Sequence, residues 1–310
     1  MRALIVTNMW PSPRTPALGS FVRDQVDSLR RAGGEGLDLE VFSFAPGGYA
    51  GAARALRRLD RSRPFDVVHA HFGLSAWPAL AAAARARAVT LHGTDLRHPR
   101  TRVLTRIVLP RIDLVATVSE DLAGELPASV RRRAAILPCG VATDRFRPIA
   151  RDQARAELGL DSAGRYLLFP SDPARPGKRH DLAVEVAAAT GATLLALRDV
   201  PPERAPLFVN AADVVVMPSE REGFGLAVLE AIACDVPVLA QPTGIHAEAL
   251  AGIAGTLCSP YERETWSRAA AAHLDAGDAR IEGRARAERY SSDAMAVRVI
   301  EAWSGLADRS

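Results

Sequence analysis

Two glutamates, Glu222 and Glu230, flank the stretch of this 310-residue sequence whose residue types are best suited to chemistry. Before them, Val214 to Met217 is a β-branched run stopped by Pro218, the signature of a short buried strand. After Glu222, Leu226 to Cys234, which includes Glu230, carries helix formers with Leu226, Leu229, Ile232 and Ala233 on one face. Gly223 and Gly225 lie in the connecting loop, where a missing Cβ lets a ligand approach the backbone. The amides of Phe224, Gly225 and Leu226 then fall at a helix start, where unpaired N–H groups and the helix dipole favour an anion. A phosphate suits that position better than a carboxylate does. With Glu222 at the mouth of the loop and Glu230 two turns on, the ligand should carry hydroxyls as well, which describes a nucleoside-diphosphate sugar.

A second set of reactive residues follows the predicted strand ends. Lys178 is the only lysine in the chain, set against 38 arginines, in the loop Arg175-Pro-Gly-Lys-Arg-His. A compact ammonium kept at one place implies a geometric need, and Arg175 with Lys178 makes a two-cation clamp for a diphosphate. His69 and His71 share one face of an extended segment; no third ligand follows, so a metal is not implied. His71 ranks above His69 as a site-lining residue because it lies nearer the C-terminal strand edge, where open α/β sheets bind ligands. A structural role for either remains the other reading. His92 emerges from the next strand at Gly93-Thr-Asp95; the other reading is that it caps its own turn.

The elements that must position these groups alternate strand and helix. Strands are expected at Ala3 to Thr7, Leu39 to Phe44, Asp66 to Ala70, Ala88 to Leu91, Ile112 to Val118 and Ala134 to Leu137 in the first half. Tyr166 to Phe169, Thr193 to Leu197, Val214 to Met217, Val236 to Ala240 and Ile253 to Leu257 supply the second half. An amphipathic helix is expected from Ser20 to Ala32, others at residues 51–62, 261–276 and 278–290, and a basic helix carries Arg97, Arg100, Arg102 and Arg106. No Gly-x-Gly-x-x-Gly follows the first strand, so a nicotinamide oxidoreductase is not supported.

The run Glu222-Gly-Phe-Gly-Leu-Ala-Val-Leu-Glu230 resembles the paired-glutamate motif of family 4 retaining glycosyltransferases, the glycosyl transferases group 1 of the GT-B fold. The resemblance extends over nearly the whole chain, through the His-x-His segment, His92-Gly93, the Pro138-Cys-Gly-Val linker and the Gln241-Pro-Thr-Gly loop. It implies an α/β GT-B architecture with two Rossmann-like domains facing across a cleft and the last helix returning to the first domain. Residues 1–148 plus 293–310 would form the acceptor-side domain, and 149–292 the donor-binding domain. It further implies that Glu222 meets the donor sugar, Phe224 to Leu226 and Gly19 meet its phosphates, and Glu230 meets the ribose. His92 would stand beside the sugar, and Asp95 and His71 toward the acceptor. The chain departs from the family pattern at Cys139, where asparagine is usual, at Asp235, where glycine is common, and at Pro170-Ser171, where Gly-Arg is expected.

The expected activity is therefore metal-independent, retaining transfer of a hexosyl group from a UDP- or GDP-sugar to a hydroxyl acceptor on a lipid-linked or cell-surface glycan precursor. No cofactor is expected. A sugar-nucleotide-binding subunit of the same fold without activity is the alternative. Charge adds a partner: 22 arginines against 13 acids in residues 1–150 give +9, while 17 cations against 23 acids in the remainder give −6. A basic first half suits an anionic membrane surface, although arginines scattered over solvated faces would give the same sum. No nucleic-acid motif accompanies it. Three scattered cysteines exclude a disulfide framework or zinc site, and the N-terminal segment reads as a strand, so a cytoplasmic, peripherally attached protein is expected.

Overall fold

The computed structural model describes residues 1–13, 15–278 and 280–307. They form two compact units, residues 1–140 with the helix Ser292–Ala307, and residues 141–291. The first unit carries β1 (Arg2–Thr7), β2 (Asp38–Ser43), β3 (Phe65–His71), β4 (Ala84–Leu91), β5 (Leu114–Thr117) and β6 (Ala135–Ile136) in the order β2-β1-β3-β4-β5-β6. The second carries β7 (Tyr166–Phe169), β8 (Thr193–Ala196), β9 (Val214–Met217), β10 (Val238–Ala240) and β11 (Leu257–Cys258) in the order β11-β10-β9-β7-β8. All pairings within both sheets are parallel. Helices therefore cover the faces, and strands such as β9 are apolar throughout and buried along their whole length. Each unit is thus an α/β fold built on one parallel sheet, as the resemblance implies. No helix among the described residues is long and apolar enough to cross a membrane.

In the first unit, Val22, Val26 and Leu29 recur at helical spacing on Ser20–Gly33 and are buried against β1 residues Ala3 and Ile5. Ala296, Val299, Trp303 and Leu306 of Ser292–Ala307 close the same cluster, so the last described helix completes the first core. Burying side chains of this size contributes roughly 1.5–3 kcal/mol each. Residues 308–310 of the expected returning segment lie outside the described residues. The second core joins Leu167, Phe169, Val214, Val216 and Leu239 to Trp266 and Leu274 of the helix Arg263–Asp275. A buried pair braces it: Arg155 Nη2 donates to both carboxylate oxygens of Asp213 at 2.9 and 3.0 Å.

Among the boundaries that differ from expectation, three have clear local reasons. The units divide at 140/141 and 291/292, not after 148 and 292. Val141 N–H donates to Tyr290 O, Ile149 N–H to Asn210 Oδ1, and Arg284 to the carbonyls of Thr143 and Phe146, so residues 141–149 are tied to the second unit. The strand expected over 253–257 is only Leu257–Cys258, because Gly252 and Gly255 adopt φ of 74° and 79° and turn the chain. The helix expected over 278–290 is confined to Arg284–Glu288, since Asp235 Oδ1 takes the amides of Gly283 and Arg284 as its start.

Candidate active site

In the second unit, chemistry gathers at the C-terminal ends of β7 and β9. Pro218 ends β9, and the next residues pass through a glycine loop into the helix Leu226–Ala233. Gly225 has φ of 96°, and a Cβ there would lie 2.5 Å from His246 Nε2. Gly244 is equally confined, since its Cβ would lie 2.3 Å from Phe224 O. The loop is thus clamped between its own backbone and the Gln241 to His246 segment. Only glycine satisfies both backbone angle and space.

The Glu222 side chain is 8% exposed, and Lys178 Nζ donates to its two oxygens at 2.6 and 2.8 Å. Burial alone would push the Glu222 carboxyl up; the Lys178 charge and hydrogen bonds, with Ser219, bring it below the ordinary value. An ammonium has three donors, so two on Glu222 leave one free for a phosphate. Sequence reasoning assigned Lys178 and Glu222 to different parts of a ligand and did not foresee their pairing. Arg175, at the start of the Pro176–Lys178 turn, is exposed. Phe224 is buried, whereas Leu226 and Glu230 are half-buried on the helix.

His246 was not singled out from sequence. Its Nδ1–H donates to Gln241 O at 2.8 Å, which leaves Nε2 as the unprotonated nitrogen, buried and without a partner among the described residues. Burial lowers its pKa, against the opposing pull of Glu222. A lone histidine following Gly244-Ile245 was the available signal.

The first unit brings His69, His71 and His92 into one stack. Ring centroids are 5.0 Å apart for His69 and His71, and 5.3 Å for His71 and His92. Trp303 Nε1 can only donate, so His69 accepts at Nδ1 at 3.0 Å, and its Nε2–H donates to Thr90 Oγ1 at 2.8 Å. His71 Nδ1 and His92 Nε2 share a proton at 3.1 Å. His71 is 1% exposed, and burial takes its pKa to about 4; burial also holds His69 and His92 well below the ordinary range. The stack is neutral at physiological pH, with His92 its half-buried outer member and Phe21 5.0 Å from it.

Asp95 does not face an acceptor. It is wholly buried, and its carboxylate accepts the amides of His92 at 2.9 Å, Gly93 at 2.8 Å and Gly73 at 3.3 Å. Burial raises its pKa against those bonds. Its task is to hold the turn that presents His92. Phe72, directly after His71, adopts φ of 79°, a costly angle for a bulky residue, and nothing in its sequence context signals this. Gly19 has φ of 69° at the start of its helix, with Met9 O 2.2 Å from where its Cβ would be. Beside that loop lies a cavity of about 320 Å³ lined by Asn8, Trp10, Ser12, Thr15, Ser43 and Phe44, among others.

Residues 20–145 match the family model described as Glycosyltransferase Family 4, and residues 174–291 match that described as Glycosyl transferases group 1. The chain belongs to the family 4, group 1 glycosyltransferases. Among curated relatives it is 31% identical to a D-inositol 3-phosphate glycosyltransferase of Geodermatophilus obscurus, over 66% of this chain and 59% of that protein. It is 29% identical to the protein of that name from Nocardia farcinica, over 83% of this chain and 68% of the relative. Sucrose-phosphate synthase from Thermosynechococcus elongatus shares the fold with a TM-score of 0.73 at 18% identity, over 100% and 99% of the two chains. HepE of Anabaena, solved in complex with UDP and glucose, gives 0.72 at 14% identity over 98% and 100%.

Two departures from the family 4 glycosyltransferase pattern have a physical account. Asp235 has φ of 57°, which explains a preference for glycine there, and aspartate is retained by its bonds to Gly283 and Arg284. Cys139 Sγ lies 4.0 Å from His92 Nδ1, a weak contact, and burial raises its thiol to about 12. Burial thus favours the neutral thiol beside the histidine.

Proposed function

We propose that this protein transfers a hexosyl group from a UDP- or GDP-sugar to a hydroxyl acceptor, with retention of anomeric configuration and without a metal ion. The observation that carries this reading is the buried Lys178–Glu222 pair at the glycine loop: one partner suits a phosphate, the other sugar hydroxyls, and they are joined. On this reading Lys178 and Arg175 offset the charge of the departing diphosphate, aided by the Phe224 to Leu226 amides, and Glu230 takes the ribose. Gly19, expected at the phosphates, is glycine because Met9 O fills the space of a Cβ there. The complex of HepE with UDP and glucose supports a nucleotide-sugar donor.

The acceptor falls to the first unit. The named lining residues of the cavity beside Trp10 carry no charge but offer an amide, hydroxyls and two aromatic faces, a set that suits a polyol or sugar ring. With Asp95 taken by three backbone amides, we read the acceptor as attacking on the face the diphosphate leaves, with a departing phosphate oxygen taking its proton. His92, neutral and braced by His71, donates or accepts one hydrogen bond at the sugar. Under this scheme His92→Ala lowers kcat more than it weakens nucleotide binding. Proton NMR of the product tests the whole: an α-linked donor gives an α-linked product, and a β coupling constant removes the retaining assignment.

A further inference from the structure

The helix Pro99–Val108 turns an apolar stripe toward solvent. Val103, Leu104 and Ile107 are 56%, 45% and 49% exposed, and Trp77 beside them is 36% exposed with its Nε1–H donating to Leu104 O. The helix is already anchored from its other side: Thr105 and Val108 are buried, and Gly73 packs so closely that its Cβ would lie 2.1 Å from Thr105 Oγ1. The outward stripe is surplus to that packing. Arg100 falls among its apolar residues at helical spacing, with Arg102 and Arg106 along one flank, and Arg111 follows in the turn Leu109–Arg111. No acidic residue occurs from 99 to 112. None of the four arginines forms an ion pair among the described residues. Arg106 and Arg111 donate only to the carbonyls of Glu125 and Ile107, and the nearby Asp121 and Glu125 carboxylates are taken by Arg97.

We propose that this helix face, with Trp77, docks on an anionic lipid surface. Apolar side chains flanked by unneutralised arginines match the layered chemistry of a bilayer interface, acyl chains below and phosphates above, and arginine stems can lie along the stripe with their heads at phosphate level. A second copy fits poorly, because a self-complementary contact would bring the arginines of the two helices together. The helix follows the His92 turn through Thr94–Arg97, so docking carries that turn toward the lipid. The proposal rests on the helix alone, and binding is measured without turnover.

The test is flotation with vesicles of phosphatidylcholine plus phosphatidylglycerol against phosphatidylcholine alone. The whole protein should float with the anionic vesicles and be released by salt. Each arginine of the four changed to serine should weaken binding about fivefold. Val103→Ser with Ile107→Ser, which leaves every charge in place, should weaken it at least about tenfold. In a Trp10→Phe background, brominated lipid should quench Trp77, since Trp266 and Trp303 are buried. Nucleoside-diphosphate binding by the same variants reports the fold and the donor site separately. Equal partitioning to both vesicle types overturns the proposal, as does binding indifferent to the serine pair. Self-association lost in that pair without vesicle binding would assign the face to a second copy instead.

Discussion

Replacing Lys178 by methionine keeps the apolar stem and removes the charge from Glu222. Breaking a fully buried ion pair by deleting one partner costs about 3–5 kcal/mol, mostly through the charge left behind. Here the glutamate side chain is 8% exposed but the lysine 18%, so water reaches the vacated end. The cost should accordingly be about 2–3 kcal/mol. Among the four tryptophans only Trp266 belongs to the second unit, so its fluorine NMR resonance, after fluorotryptophan labelling, follows that unit through urea.

The pH dependence gives a sharper signature. In the parent protein the Glu222 carboxyl is held below its ordinary value, so its contribution is present above the unfolded pKa and is lost as pH falls through the folded one. Without Lys178, burial, the largest influence, is opposed only by the Ser219 hydrogen bond and His246, and the pKa rises. The sign then reverses: the variant gains stability relative to the parent as pH falls from 7 toward 5. Glu222→Gln in the same background should restore most of the loss, because no charge remains to strand. Nucleoside-diphosphate affinity adds a second reading. It should fall about 10- to 100-fold in Lys178→Met, as a charge-assisted contact is lost. In Glu222→Gln alone it should be kept or tightened, with turnover abolished. Parallel pH profiles for parent and Lys178→Met, together with unchanged nucleotide affinity, would refute the argument.

Gly225→Ala combines a positive φ with a Cβ 2.5 Å from His246 Nε2, so nucleotide binding should be lost by calorimetry while near-ultraviolet dichroism keeps the folded signature. His71 stays neutral when folded down to about pH 4, whereas the unfolded chain protonates it near 6.5, so stability of the first unit should fall as pH drops between those values. The loss approaches about 3 kcal/mol, and acid titration followed at Trp303 should show His71→Gln with a shallower slope. Turnover, if cations and amides serve the phosphates as proposed, should survive a chelator; activity lost in chelator and restored by magnesium or manganese would reject that scheme.

The strands and the glycine loop were legible because apolar runs and glycine report local geometry directly. Val214 to Met217 and Tyr166 to Phe169 coincide with β9 and β7, and the loop glycine Gly225, expected for ligand approach, also carries a φ of 96° and abuts His246. What escaped depended on pairs distant in sequence. Lys178 meets Glu222 across 44 residues, and Trp303 meets His69 across 234, and no periodicity encodes either. Asp95 misled for a related reason: an acid beside a candidate histidine reads as chemistry, whereas three backbone amides had claimed it. The short β11 escaped because an apolar run, Ile253 to Leu257, is a strand signal only where its glycines allow an extended chain.

The return of Ser292–Ala307 to the first sheet bears on how the chain matures during synthesis. The ribosome releases all six strands of the first unit early, yet the cover over Ala3, Ile5 and Leu29 includes Val299, Trp303 and Leu306, which emerge only after the entire second unit. The second unit is continuous in sequence and can close first, reversing the usual N-to-C order of domain folding. At about 5–20 residues per second, the roughly 150 intervening residues leave an apolar sheet face uncovered for many seconds. A nascent chain stalled before residue 292 should bind chaperones through its N-terminal third, and release should coincide with emergence of Trp303.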